Sequence, residues 1–142
     1  MLDRDRILAK LDELDGYGRE LRQIVPQTIE EYLRKVEKRR ATERLLQISV
    51  ECILDVCHLF VSGLRLGLPA QEDDLVGRMD AAGLISPDLA GLLRRMRRFR
   101  NILVHEYGEV DDHIVFETAR ERLNDLVRFR GEILKALETV GG

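Results

Sequence analysis

The stretch Arg94-Arg95-Met96-Arg97-Arg98-Phe99-Arg100 sets five guanidinium groups in seven positions, and Asn101, His105 and Tyr107 follow closely. Guanidinium groups grip phosphate oxygens through paired N–H donors, and an imidazole moves protons near neutral pH. Phosphate chemistry is therefore the natural use of such a cluster. On a helix, taking Arg100 as zero, Asn101 falls at about 100°, His105 at about 140° and Tyr107 near 340°. Asn101 and His105 form an i, i+4 pair, and Tyr107 lies one heptad from Arg100. Arg100 and His105 can line one pocket, yet alone they are poorly placed to grip one phosphate from both sides. A second copy of the helix, related by a two-fold axis, supplies the missing half.

A run of charge is ordinarily a solvated helix face. Two features weigh against that here. No acid occurs between Leu89 and His105, so the usual i±4 carboxylate partners are missing, and the run ends on a His and a Tyr instead of fading into a polar loop.

The elements that must position these residues are helical. The chain of 142 residues is 44% apolar and 35% charged, with three prolines and no tryptophan, and it carries no Val/Ile/Thr-rich alternating run. That balance predicts one all-α domain over 1–142, an antiparallel bundle of about five helices. A net charge of −3 argues against nucleic-acid binding by bulk charge, so any such binding rests on a local patch. Cys52 and Cys57 lack the further ligands of a zinc site and read as buried free thiols of a reducing compartment. No signal peptide and no apolar segment of roughly 18 residues is expected, which predicts a cytoplasmic protein with no membrane partner.

Ile7, Leu11, Leu14, Leu21 and Ile24, with Tyr17 on the same side, predict a first helix over 3–24 that Val25-Pro26 ends. It tolerates Gly16 and Gly18 at about 1 kcal/mol each. Thr28 and Glu31 make a capping box for a short second helix. Residues 45–61 predict a buried central helix with one polar stripe of Arg44, Gln47, Glu51, Asp55, His58 and Ser62. Whether it continues from the second helix or breaks around Lys38 to Ala41 stays open. Glu51 and Asp55 are candidates to border a cleft or orient a motif residue, and His58 is a surface or interface residue. Gly63, Gly67 and Pro69 mark a loop, Glu72 to Ala82 a small helix closed by Gly83, and Ser86-Pro87 the N-cap and first turn of the arginine helix. Ile102, Leu103 and Val104 are expected to face the core. Gly108 and Asp111-Asp112 turn the chain, with His113 in the turn, into a last helix lined by Ile114, Leu123, Leu126, Val127, Ile133, Leu134 and Leu137. Tyr17 and Tyr32 are expected at the edge of the core.

The octapeptide RNILVHEY, residues 100–107, matches the R-x4-H-x-Y signature, with Asn directly after the Arg, of the HEPN superfamily, and it most resembles the HepT-like branch. The segments ERLLQISVE (43–51), ILDVCHL (53–59), the step Gly83-Leu84-Ile85-Ser86, the lead-in MRRFRN and the L-x-x-L-V-x-F helix at 123–129 resemble that branch in the same order. The likeness covers roughly residues 1 to 138, and the arginine run is denser than the motif requires. The resemblance implies an all-α homodimer whose cleft combines two copies of the motif. It also implies a metal-independent ribonuclease without cofactors, the toxin of a type VII-like toxin–antitoxin pair. The antitoxin it implies is a minimal nucleotidyltransferase of the MntA type that transfers AMP to the motif tyrosine. Carried over by position, Arg100 and His105 are the catalytic pair, Asn101 is their polar support and Tyr107 is the modified residue.

The chemistry agrees. RNA brings its own nucleophile, the 2′-OH, and needs a proton-transfer group and a cation to stabilise charge on the phosphorane. His105 suits the first role and Arg100 the second, while Arg94, Arg97 and Arg98 would steer the backbone of single-stranded or loop RNA. A competing reading is a non-catalytic helical module that partners such a nucleotidyltransferase or positions its substrate, with the motif kept for dimerisation or modification.

Overall fold

Pro26 and an extended Lys35 cut the N-terminal half of the chain into three helices. The structure, a computed structural model, describes residues 1–105 and 110–141. Its helices are α1 (Arg4–Ile24), α2 (Ile29–Arg34), α3 (Val36–Gly63), α4 (Glu72–Ala81), α5 (Pro87–His105) and α6 (Asp112–Gly141). Among the described residues six helices stand where about five were expected, because the open question about the second and third resolves as a break. It falls at Lys35 (φ −117°, ψ 100°), ahead of the Lys38–Ala41 stretch, and the Lys35 carbonyl already accepts from Arg39 N at 3.2 Å.

The starts and stops follow local chemistry. Asp3 accepts from Arg6 N at 3.2 Å and Thr28 Oγ1 from Glu31 N at 3.3 Å, each satisfying a helix N–H that has no intrahelical partner. Gly83 takes the left-handed conformation (φ +73°) that closes α4 without a Cβ clash. At the end of α3, a Cβ on Gly63 would lie 2.8 Å from Leu2 Cα, so the chain's first residues pack where only glycine fits.

α3 packs against all five other helices. It carries Leu46, Val50, Ile53, Val56, Cys57, Phe60 and Val61 into the interior, each at most 2% exposed. Contrary to expectation, this helix is long and apolar enough to cross a membrane by length and composition, with a mean hydropathy of 1.6 in an 18-residue window, of which 61% is buried inside the fold. The core has two parts. The larger unites α1, α3, α4, α5 and α6 around Ile7, Phe60, Leu89 and Phe129; the smaller gathers Leu21, Tyr32, Leu46, Leu103, Val115 and Phe116.

Several side chains depart from the expected pattern. Tyr32 is fully buried, not at the core edge, with its ring centroid 5.4 Å from that of Phe116, because short α2 inserts it toward α6. Burial pushes its hydroxyl pKa upward. Ile102, Ile114 and Val127 are 40%, 55% and 68% exposed instead of core-facing. Ile102, Leu103 and Val104 span about 200° of helix surface, more than one contact face can cover, and only Leu103 is buried.

Cys52 and Cys57 are both buried free thiols, and burial pushes each up to about 12. Thiolate is the reactive form, so neither sulfur should react with Ellman's reagent at pH 8 until the protein unfolds. Two equivalents should appear in denaturant. Stoichiometric labelling of the native protein within minutes would contradict this core.

Candidate active site

α5 is the platform of the site, and its start is anchored. Ser86 Oγ accepts from Leu89 N at 3.2 Å, while Ser86 N and Oγ both donate to the Glu132 carboxylate on α6, at 2.7 and 3.0 Å. Pro87 occupies the first helical position, where its missing N–H costs nothing. Leu89, Ala90, Leu93 and Met96 bury one stripe of α5 in the larger core, and Leu103 enters the smaller. Residues 97–102 thus bridge the two halves of the core, and the motif begins there.

Two of the run's five arginines, Arg97 and Arg100, are paired, and their carboxylates come from other helices. Arg97 makes a two-pronged contact with Asp73 of α4, Nε to Oδ1 at 2.7 Å and Nη2 to Oδ2 at 2.9 Å. Arg100 has a neighbour at each of its three nitrogens, and two of these are hydrogen-bonded. Its Nε donates to Asn101 Oδ1 at 3.0 Å, its Nη2 to Glu72 of α4, and its Nη1 lies 3.7 Å from Glu51 of α3. The Arg100 side chain is only 12% exposed. Gln47 in turn donates to Glu51 at 3.2 Å, so the polar stripe of α3 reaches the motif through Glu51. Asp55 instead takes Lys10 at 3.1 Å, and His58 is an exposed residue lining a separate cavity with Val61, Leu68 and Pro69.

The other expected site residues are distributed along α5. Asn101 is half-buried at Arg100, and Arg94 is half-buried beside Gly77 of α4. Arg98 is exposed. His105 is exposed in the last turn of α5. It lies about 7.5 Å from Arg100 along the axis and about 140° around it. Arg100 faces α3 and α4, whereas His105 faces solvent. Beside them, a cavity of about 360 Å³ is lined by Arg40, Glu43, Arg44, Gln47, Leu103 and Val110. Tyr107 lies outside the described residues. Glu72 and Asp73 were missed from the sequence; the only signal was an acidic triplet, Glu72-Asp73-Asp74, opening the helix before an acid-free basic one.

The Ribonuclease HepT-like family matches residues 14–133. A tRNA nuclease HepT from Aphanizomenon flos-aquae is 27% identical over 110 residues, covering 78% of this chain and 75% of its own length. An mRNA nuclease HepT from Shewanella oneidensis is 30% identical over 91 residues, covering 64% and 68% respectively. Among solved structures, a tri-AMPylated Shewanella oneidensis HEPN toxin in complex with its MNT antitoxin superposes with a TM-score of 0.86 at 23% identity. That match covers 93% of this chain and 98% of the toxin.

Beneath the platform lies a cation that sequence reading passed over. Arg122 of α6 is 2% exposed, its guanidinium 5.8 Å from the Phe99 ring centroid, and its Nη1 has no hydrogen-bond partner among the described residues. Burial lowers its pKa to about 10, against the opposing pull of Asp125 and Glu121. A guanidinium whose folded pKa lies below its unfolded one opposes folding while charged, and the penalty fades as pH rises through the folded value. Arg122→Met should therefore stabilise the fold at pH 7 by on the order of 1 kcal/mol or more, read as a higher urea midpoint. A lower midpoint would mean that the buried charge has a structural partner whose loss outweighs its desolvation.

Proposed function

The chain belongs to the HepT-like family of ribonucleases, and from that premise we propose that it is a cytoplasmic RNA-cleaving toxin with a composite Arg100/His105 site. In this reading the 2′-OH of the substrate attacks the adjacent phosphorus and the bond to O5′ breaks, leaving a 2′,3′-cyclic phosphate and a 5′-OH. His105 moves the proton, as base toward the nucleophile or as acid toward the leaving oxygen. Arg100 stabilises the extra negative charge on the phosphorane. Asn101 fixes the plane of that guanidinium through its Nε. Arg94 and Arg98 steer the RNA backbone. Arg97, whose fork Asp73 fills, is revised from an RNA contact to a tie between α5 and α4.

The observation that supports this reading best is the contrast between the two motif residues. Arg100 is fixed by neighbours on three sides, and His105 is left in water at the helix end. A rigid cation and an accessible proton carrier are what in-line cleavage of RNA requires. Because the two face different sides of one helix, a second copy related by a two-fold axis brings an imidazole to the first copy's guanidinium, and the active species is a homodimer.

His105→Ala should cut the cleavage rate by about 10²–10⁴-fold and Arg100→Ala by about 10²–10³-fold, with helix content unchanged by circular dichroism. A DNA oligonucleotide of the same sequence should survive. Wild-type rates in a nuclease-free preparation of His105→Ala would remove the catalytic assignment. A tight nucleotidyltransferase complex together with no RNA cleavage by the wild type would instead favour the binding-module reading.

Regulation follows from the same site. The relative from Shewanella carries three AMP groups in its complex with an MNT antitoxin. By analogy, an MntA-type nucleotidyltransferase partner transfers AMP from ATP to the Tyr107 hydroxyl here with release of pyrophosphate, setting a phosphate and a purine near the motif, where charge and bulk exclude RNA. Co-expression with such a partner should add AMP masses that disappear in Tyr107→Phe. Retention of the added mass in that variant would locate the modification elsewhere.

A further inference from the structure

Arg100 donates from Nε and Nη2 inside its own chain and faces a carboxylate at Nη1, so any phosphate that needs it meets competitors. Asn101 takes Nε, Glu51 stands at Nη1 and Glu72 takes Nη2. A phosphate binds guanidinium through the same in-plane donors that a carboxylate does. A phosphate that seeks a two-pronged grip therefore competes with these neighbours, and the one held least firmly yields first. Asn101 is adjacent in the chain and half-buried. Glu51 sits in the middle of the central helix and receives a hydrogen bond from Gln47 at 3.2 Å. Glu72 is the first residue of a ten-residue helix, its side chain is 43% exposed, and among the described residues no other ion pair holds it. Its neighbour Asp73 is fixed by both prongs of Arg97, which keeps α4 docked when Glu72 leaves. Asp74 is occupied with the backbone N–H groups of Ala70 and Gln71, at 2.9 and 3.1 Å, and closes the helix start independently.

We propose that Glu72 is a displaceable internal counter-anion, a carboxylate that occupies the phosphate position on Arg100 until RNA exchanges for it. The inference rests on the reading of Arg100 as the phosphate clamp. The exchange is charge-balanced: the substrate phosphate takes over the guanidinium edge, and the Glu72 carboxylate moves into water from a position already half in it. In the free protein the pair spares Arg100 an uncompensated charge in a nearly buried place, and it holds the guanidinium in the orientation a phosphate will use. The same carboxylate disfavours weak or wrongly placed anions, which must outcompete it. Glu72 is thus a positioning residue that sets the threshold for substrate entry.

The test is a double-mutant cycle on RNA binding. The probe is a fully 2′-O-methylated oligoribonucleotide, which has no free 2′-OH and stays intact, followed by fluorescence anisotropy. Glu72→Gln should tighten binding roughly two- to fivefold, the scale of a partly exposed ion pair. In the Arg100→Ala background the same substitution should have no effect, because the position for which Glu72 competes is gone. With cleavable RNA, Glu72→Gln should lower KM by a similar factor. Equal tightening in both backgrounds would mean that Glu72 acts only as a general negative charge, and would overturn the proposal. Unchanged binding with a fallen kcat would make Glu72 a structural brace and overturn it as well. Thermal unfolding of each variant checks that α4 remains folded. Wild-type protein that neither binds nor cleaves RNA would instead bring down the functional reading, and this inference with it.

Discussion

A guanidinium nearly removed from water must be matched by negative or polar groups, and the arrangement around Arg100 follows from that demand. Removing a partner from a buried charge is costly, whereas supplying partners from three helices makes the charge tolerable. Glu51 explains why the otherwise apolar α3 keeps a polar stripe. Glu72 and Asp73 explain why α4 opens on acids, an order that also suits the positive end of its dipole. Asn101 completes the set from within α5 itself. The mild overall acidity of the chain and its local arginine run are two sides of the same pairing.

The parts of the fold that were legible in the sequence are those decided within a few residues. Thr28 caps α2, Ser86-Pro87 opens α5 and Gly83 closes α4, because each satisfies a backbone N–H or a positive φ locally. The burial of Ile7, Leu11, Leu14 and Leu21 at helical spacing was equally plain. The ion pairs were not, since Arg97–Asp73 and Arg100–Glu72 join residues more than twenty positions apart, and only the docking of α4 on α5 brings them together. An absence of acids at i±4 says nothing about acids on a neighbouring helix. Arg122 escaped notice for the converse reason: a lone arginine among charged residues gives no sign that Phe99 and the smaller core will cover it. Tyr32 was misjudged because the depth of a six-residue helix depends on what it packs against, here Phe116.

The candidate site divides along the same line. Its residue types and order are local and were readable: a cation, an amide beside it, an imidazole one turn on. What periodicity could not say is that the cation turns inward and the imidazole outward. Helical geometry sets them about 140° apart, but which of the two faces the bundle depends on where α3 and α4 lie.

That division constrains the mechanism. A catalytic cation gains from being rigid, because a preorganised charge pays no reorganisation at the moment of reaction. Rigidity here comes from partners that also neutralise the cation, so preorganisation and availability pull in opposite directions. A structure resolves this conflict when the partners differ in how firmly they are held. Asn101 and Glu51 sit in the interiors of long helices, while Glu72 begins a short helix at the water's edge. In the proposed exchange two holders fix the orientation and the third leaves, so the same guanidinium is quiet in the free chain and open to whichever anion can replace a carboxylate. An enzyme whose activity endangers the cell that makes it benefits from a clamp that opens only to a well-placed polyanion.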